Sequence, residues 1–331
     1  MTVIPDETRL VVIESADVGE RVTQALALDA ARKAARAQLE PTTRSGRLFL
    51  EHPGGWMRVL GTSLPSLGIF GYKEFHLTGQ GAVRYAVHLF AIDDGRPLGV
   101  VDGALLTPLR TAAAAAAAAG AYLHDRSSPV SVGVVGSSTE AEAGLRALAS
   151  ALPIDRVVVT SRNEKNRTRF AARMSQELGV RVDAVCDARS LSECCEVVYV
   201  ATASGGRVVV DDAALGDVPL VLSIGSTLPV QRELHADILI NATTVIIDTP
   251  EVLQESGDVL AAIEQGLEQS SIHLLGEYLD APGSDGGRTV YKSIGSPVQD
   301  LVLAAAILEQ ARQQGFGRSS DPLSAVKLNR S

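Results

Sequence analysis

The chain has 331 residues, 46% hydrophobic and 21% charged, which predicts a globular protein of about two domains. With 30 basic and 39 acidic residues the formal net charge is −9. This balance excludes binding to nucleic acid or to an anionic membrane through the overall field, although a local basic pocket for a small anion remains compatible with it.

The cysteines and histidines point to an intracellular protein without a metal. Cys186, Cys194 and Cys195 are too few for a disulfide framework, and no secretory leader is visible, so we expect a cytoplasmic location. No apolar run reaches the ~18 residues of a membrane span. The six histidines are scattered without zinc-type spacing, and we therefore expect no metal site.

The first part of the chain changes from helical to β-rich patterning. Residues 17–39 carry apolar residues at helical spacing and predict one long amphipathic helix. From 46 to 106, short β-rich segments separated by glycine turns predict an antiparallel or mixed sheet.

A second helix follows the sheet. Thr107 and Pro108 predict its start, with Thr as the N-cap and Pro in the first turn. Eight alanines at 112–119 continue it to about residue 122. Because alanine lets other backbones approach closely, we expect this helix to pack at a domain junction or subunit interface.

The remaining chain alternates short apolar strands with helices. Strands are predicted at 130–136 and 156–160 and helices at 139–152 and 164–178, with further strands before a last helix at 297–314. This alternation is typical of a parallel sheet covered on both faces. The tail after Gly315 is polar and is expected to fray.

The turn after the strand at 130–136 follows the dinucleotide-binding frame G-x-G-x-x-G/A. It reads Gly136-Ser137-Ser138-Thr139-Glu140-Ala141, with Ser138 at the middle glycine position. The first glycine allows the tight turn, and the small second residue lets backbone approach a pyrophosphate.

The end of the next strand predicts the cofactor type. It reads Ser161-Arg162-Asn163, with no carboxylate to hold a ribose 2′-hydroxyl. A guanidinium pairs with a 2′-phosphate, so NADP(H) is the preferred cofactor and NAD(H) the alternative. Arg162 could instead be a solvated loop charge.

Motifs along nearly the whole chain, from about 40 to 315, occur in the order of one known family. They are Gly71-Tyr72-Lys73, LTPLRTAA at 106–113, the Gly136 turn, Ala201-Thr202, GSTLP at 225–229, Arg232-Glu233-Leu234, ESGD at 255–258, VYKSIG at 290–295 and Gln299-Asp300. Together they resemble the ornithine cyclodeaminase/mu-crystallin family.

The resemblance implies an α/β protein with two domains. A Rossmann-type parallel-sheet domain would span 126–296. An α+β substrate and dimerisation domain with a mixed sheet would combine 1–125 and 297–331, so that the alanine-rich helix connects the two. The resemblance also implies a homodimer in which the sheets of the first domains join.

The resemblance further implies site residues. Lys73 and Arg110 look like the family's catalytic and substrate-binding cations, and Arg44 like a third, with Arg47 as its rival because the strand spacing is uncertain. A guanidinium grips a carboxylate bidentately, whereas lysine is a compact donor. The cofactor residues would be Gly136, Ser137, Ser138, Thr139, Ser161, Arg162, Asn163, Ala201, Thr202, Gly225, Ser293 and Gly295.

A departure from the family motif indicates the activity. Thr227, which we also expect to bind substrate, stands where ornithine cyclodeaminases have a proton-transferring aspartate. A threonine hydroxyl cannot act as a base near neutral pH. The resemblance is therefore closer to the mu-crystallin-like ketimine reductases, which use NADPH. We expect reduction of the C=N bond of a small imino or cyclic ketimino acid. The alternatives are an amino-acid or opine-type dehydrogenase, ornithine cyclodeaminase, and a non-catalytic NADP(H)-binding protein, the last favoured by Ser138 and Glu140.

Overall fold

A computed structural model describes residues 9–283 and 286–321. The expected domain ranges also include 1–8, 284–285 and 322–331, which lie outside the described residues. The described residues group into two units. The first comprises residues up to Leu26, Glu40–Thr107 and residues from Pro297 onward, and the second comprises Ala27–Leu39 and Pro108–Ser296. Residues 27–39 and 108–125, which the sequence analysis assigned to the first domain, thus group with the second sheet.

The helices and strands of the N-terminal part run in the following order: β1 (Leu10–Ile13), α1 (Ser15–Arg21), α2 (Gln24–Leu39), β2 (Arg44–His52), β3 (Gly55–Leu64), β4 (Ile69–Leu77), β5 (Val83–Ala91), β6 (Pro97–Asp102) and α3 (Gly103–Tyr122). The middle part continues with β7 (Val130–Val135), α4 (Thr139–Ala151), β8 (Ile154–Thr160), α5 (Glu164–Leu178), β9 (Arg181–Val185), β10 (Val197–Val200), α6 (Asp212–Leu215), β11 (Leu220–Ser223), α7 (Ala236–Ile240) and β12 (Thr244–Ile247). The last part contains α8 (Val252–Glu255), α9 (Gly257–Glu264), β13 (Ile272–Leu274), α10 (Leu275–Asp280), β14 (Thr289–Lys292), α11 (Pro297–Gln314) and β15 (Arg318–Ser320).

Two helix predictions need correction, and both errors come from local capping. The predicted helix at 17–39 is two helices, because the Thr23 hydroxyl accepts a hydrogen bond from the Leu26 backbone N at 3.2 Å and caps a new start. Helix α3 begins at Gly103 and not at Pro108. The Asp102 carboxylate accepts from the Ala104 backbone N at 2.8 Å, so Asp102 and not Thr107 caps the helix, five residues earlier than predicted.

The sheet of the first unit is mixed, as predicted. Its order is β15-β1-β6-β5-β4-β3-β2, with β1 parallel to β6 and every other neighbouring pair antiparallel. Helix α11 packs on strands β3 to β6. The expected fraying is wrong for Arg318–Ser320, which pair with Leu10–Val12 of β1.

The sheet of the second unit is entirely parallel, which confirms the predicted α/β class. Its order is β13-β12-β14-β11-β10-β7-β8-β9. All residues of β10, β11, β12 and β14 are buried, as a sheet covered on both faces requires. The chain runs from β7 through β8 to β9 and then returns to β10 on the other side of β7. Ligands of such sheets bind beyond the strand ends at this switch point.

The alanine run is buried. Each of the eight alanines at 112–119 is at most 1% exposed, so this part of α3 is no surface helix. Among the described residues, no helix combines the length and the apolar content that a membrane span requires.

Candidate functional site

A cleft of about 640 Å³ lies in the second unit, beyond the ends of β7, β8 and β10. It occupies the switch point at which a dinucleotide is expected to bind. Of the residues predicted to bind the cofactor, those that line the cleft are Gly136, Ser137, Ser138, Ser161, Arg162, Asn163, Ala201 and Thr202. The others, Thr139, Gly225, Ser293 and Gly295, are not among its lining residues.

Gly136 is the residue of this turn where only glycine fits, because the backbone after β10 approaches it closely. Gly136 has a φ of +129°, and a Cβ atom there would collide with the carbonyl oxygen of Ala201. The Ser137 hydroxyl donates to the Ser161 hydroxyl at 3.0 Å and so joins the ends of β7 and β8. Helix α4 follows Ser138, which makes no side-chain cap. This geometry fits a pyrophosphate held by backbone N–H groups.

The cleft carries more positive charge than Arg162 alone provides. Arg162 is exposed and makes no hydrogen bond or ion pair with any described residue. Arg167 and Arg207 also line the cleft, and Arg167 donates to the Ser161 carbonyl at 3.1 Å. Sequence reasoning missed these two because they lie in α5 and in the loop after β10. One acid, Asp187, also lines the cleft and accepts from the Arg189 backbone N at 3.0 Å.

Lys73 is a buried ammonium group in the first unit. It lies in β4, is 2% exposed, and donates to the Thr107 hydroxyl at 2.8 Å and to Oδ1 of Asp300 at 3.0 Å. The rings of Tyr85 and Phe75 lie 5.3 and 5.5 Å from its Nζ atom. Asp300, in α11, is fully buried, so one buried charge is held against another. Asp300 belongs to the Gln299-Asp300 motif, and the fold gives it a role as the partner of Lys73.

Strand register separates the two rival arginines of β2. Arg47 pairs with Leu60, which pairs with Lys73, so Arg47 and Lys73 lie on the same face of the sheet. Arg44 is three residues away and lies on the opposite face. Its guanidinium is exposed and donates to the carbonyl oxygens of Pro41 and Thr43. This placement favours Arg47 over Arg44 as a partner of Lys73.

Arg110 lies in α3 within the second unit and is 8% exposed. It packs against Gly295, where a Cβ atom would collide with the guanidinium. Gly295 has a φ of +81°, and its backbone N donates to Oδ2 of Asp248 at 2.9 Å. The same carboxylate accepts from the Ser293 hydroxyl at 2.6 Å. Asp248, which the sequence analysis missed, thus fixes the turn that contains both Ser293 and Gly295.

Thr227 is engaged within its own loop. Its backbone N donates to Oε1 of Gln231 at 2.9 Å, and its hydroxyl lies 3.3 Å from the same atom. Gly225, in the same loop, donates its backbone N–H to Glu233 at 2.7 Å. Position 227 thus carries a hydroxyl and no carboxylate, and Glu233 accepts hydrogen bonds from backbone and hydroxyl donors.

Comparison with known proteins identifies similar sequences and folds. The chain is 27% identical over 248 residues to Delta(1)-pyrroline-2-carboxylate reductase of Bacillus cereus, covering 72% of this chain and 74% of that protein. It is 28% identical over 294 residues to alanine dehydrogenase of Archaeoglobus fulgidus, covering 85% and 87%. The structure of Thermococcus litoralis Delta(1)-pyrroline-2-carboxylate reductase in complex with NADH and L-proline superimposes with a TM-score of 0.85 at 23% identity, covering 93% of this chain and 99% of that one.

A sequence model of one family covers most of the chain. The match extends over residues 23–315, which include the Gly136 turn, Lys73, Arg110 and the segment around Ser293. The chain belongs to the ornithine cyclodeaminase/mu-crystallin family.

Proposed function

We propose that the protein reduces the C=N bond of a small imino or cyclic ketimino carboxylic acid, with NADPH as the preferred reductant. The relative from Bacillus cereus, a reductase of a cyclic imino acid, supports this reaction class. Thr227 is the observation that favours imine reduction over ornithine cyclodeamination. The position expected to hold a proton-transferring carboxylate holds a hydroxyl that is hydrogen-bonded to Gln231.

The second unit supplies the residues that would hold the cofactor. The Gly136 turn, with Ser137, Ser138 and Thr139, would bind the pyrophosphate. Ser161, Arg162 and Asn163 would bind the 2′-phosphate, and Ala201, Thr202, Gly225, Ser293 and Gly295 would surround the nicotinamide. When bound, NADPH supplies the hydride, which is chemistry that no protein side chain provides.

The residues proposed to bind the substrate are cations, which attract its carboxylate. Arg110 and one of the β2 arginines bind the carboxylate of the substrate, and register makes Arg47 the better candidate than Arg44. Lys73 orients the substrate and donates a proton towards the imine nitrogen, directly or through water. The Asp300 carboxylate and the Thr107 hydroxyl hold the Lys73 ammonium in position for this role.

An amino-acid dehydrogenase is the second candidate, and the alanine dehydrogenase relative favours it. Such an enzyme would use the same residues on an imine formed from a 2-oxo acid and ammonia. Initial rates of NADPH oxidation with a cyclic ketimine acid, and with pyruvate plus ammonia, distinguish the two. The main proposal requires the cyclic imine to give the larger kcat/KM.

The cofactor preference makes a testable prediction. We expect Arg162→Ala to raise the KM for NADPH about 10- to 100-fold, since a charge-assisted contact is lost, and to leave the KM for NADH unchanged. Arg169→Ala is the control, because it removes an exposed arginine of α5 that does not line the cleft. Equal effects of Arg162→Ala on both cofactors would contradict the role of Arg162.

We also propose that the functional domains are 1–125 with 297–331 and 126–296, although residues 27–39 and 108–125 group with the second sheet. We further propose a homodimer formed through the first domain. Strand β2 is an edge strand of its sheet, and Leu48, Phe49 and Leu50 are 46–50% exposed there. An apolar edge strand left open in a monomer invites pairing with another chain. The edge therefore fits the joining of two sheets.

The dimer proposal predicts the effect of charges on this edge. We expect the double variant Leu48→Asp/Leu50→Asp to have the mass of a monomer in size-exclusion chromatography with light scattering, because two carboxylates would be buried at the contact. Val230→Asp is the control, since Val230 is 78% exposed in a loop of the second unit. If the β2 variant keeps the mass of a dimer, the contact lies elsewhere.

A further inference from the structure

A buried carboxylate joins the loops after two neighbouring strands of the second sheet. Glu233 is 1% exposed, and its Oε1 atom accepts from the backbone N and the hydroxyl of Thr202 at 2.6 and 2.7 Å. Its Oε2 atom accepts from the backbone N of Gly225 at 2.7 Å and the Ser223 hydroxyl at 3.1 Å. Thr202 follows β10 and Gly225 follows β11, so one side chain connects both strand ends.

The geometry requires a carboxylate at this position. Four donors converge on two oxygen atoms, and only an ionised carboxylate accepts at every one of them without presenting a donor. A Cβ atom on Gly225 would collide with the Glu233 carboxylate, which therefore occupies the space that a side chain at 225 would need. Replacement by glutamine would turn an amide N–H group towards donors of the loops.

A buried lysine offsets part of the cost of burying this carboxylate beside a second one, Asp258. Burial raises the pKa of Glu233, whereas the nearby Lys292 ammonium and the hydrogen bonds from Thr202 oppose the rise. Lys292 is fully buried, and its Nζ atom lies 4.0 Å from Glu233 and 3.2 Å from Asp258. Asp258 in turn accepts from the backbone N of Glu233 at 2.8 Å. Lys292 also donates to the carbonyl oxygen of Gly225, so the charges fix both the side chain and the loop.

We propose that Glu233 is a positioning residue that holds the loops after β10 and β11 in the geometry required by the nicotinamide half of the cofactor. The inference rests on the proposed function, in which Thr202 and Gly225 surround the nicotinamide. Glu233 acts through these loops. The adenine side, with Ser161 and Arg162 at the end of β8, makes no hydrogen bond to Glu233 within the described residues. The two halves of the cofactor site should therefore respond differently to a change at Glu233.

The test compares ligands that occupy one or both halves of the site. In fluorescence and calorimetric titrations, Glu233→Gln is expected to weaken NADPH binding about tenfold or more, since hydrogen bonds to a charged group are lost. Adenosine 2′,5′-bisphosphate, which lacks the nicotinamide, should bind as tightly as to the wild type. The primary deuterium isotope effect on kcat, measured with NADPH deuterated at C4, should increase because hydride transfer becomes slower.

Two further variants separate positioning from general destabilisation. Ser223→Ala removes one donor from the same carboxylate and should change NADPH affinity and the isotope effect in the same direction by a smaller amount. Glu177→Gln, the control, removes a carboxylate that pairs with Arg146 on the surface of the same unit and should change neither quantity.

Equal losses for NADPH and adenosine 2′,5′-bisphosphate, or an unchanged isotope effect in Glu233→Gln, would overturn the positioning role and leave the proposed function intact. A wild-type protein that binds neither ligand would overturn the proposed function, and this inference with it.

Discussion

Lys73→Met is expected to lower kcat/KM for imine reduction by about 10²- to 10⁴-fold, the range that a positioned proton donor contributes. The methionine keeps the volume of the side chain and removes the ammonium group that Thr107 and Asp300 hold. NADPH affinity should be unchanged, because Lys73 is not among the residues that line the cofactor cleft. Stopped-flow measurement of NADPH oxidation, with a separate binding titration, checks both expectations.

A second variant separates the chemistry of Lys73 from its contribution to stability. Lys73→Met leaves the fully buried Asp300 without its ammonium partner, and breaking a buried pair in this way typically lowers stability by about 3–5 kcal/mol. The double variant Lys73→Met/Asp300→Asn removes both charges and should recover much of the melting temperature without recovering turnover. If the double variant regains the wild-type rate, Lys73 has only a structural role.

Gly136→Ala is expected to abolish measurable NADPH binding. A Cβ atom on Gly136 would collide with the Ala201 carbonyl oxygen, and a φ of +129° is unfavourable for any residue with a side chain. The turn must therefore shift, and with it the backbone that would hold the pyrophosphate. Isothermal titration with NADPH measures the loss.

Gly179→Ala is the matched control for backbone strain. Gly179 also has a positive φ, +68°, but ends helix α5 with open space around its Cβ position. This variant should lower stability by about 1 kcal/mol and leave NADPH affinity unchanged. Wild-type affinity in Gly136→Ala, or an equal loss in Gly179→Ala, would show that the Gly136 turn does not form the cofactor site.

Local sequence signals predicted several elements of both units well. Helices α5 and α11 have the predicted bounds, because their apolar periodicity is regular and their ends carry strong signals such as Pro297. Errors arose where one side chain changed a boundary. Thr23 divides the first predicted helix, and Asp102 starts α3 before the expected position.

The site was predictable only in part, because some of its contacts join residues that are far apart in the sequence. The Gly136 turn is read from six consecutive residues, so its position beside the cleft follows from the sequence. The choice between Arg44 and Arg47 depends on which face of β2 each occupies, and this is set by pairing with β3. Asp300 reaches Lys73 across 227 positions of the chain, a contact that no local pattern encodes.

Anaerobic incubation with NADPH and Delta(1)-pyrroline-2-carboxylate, followed by measurement of NADPH consumed and amino acid formed, tests the central claim most directly. The account predicts equimolar NADPH oxidation and proline formation by the wild type, and almost none by Lys73→Met. A parallel incubation with ornithine should release no ammonia, because Thr227 provides no base. Imine reduction would be contradicted by a protein that releases ammonia from ornithine and oxidises no NADPH with any cyclic or acyclic imino acid.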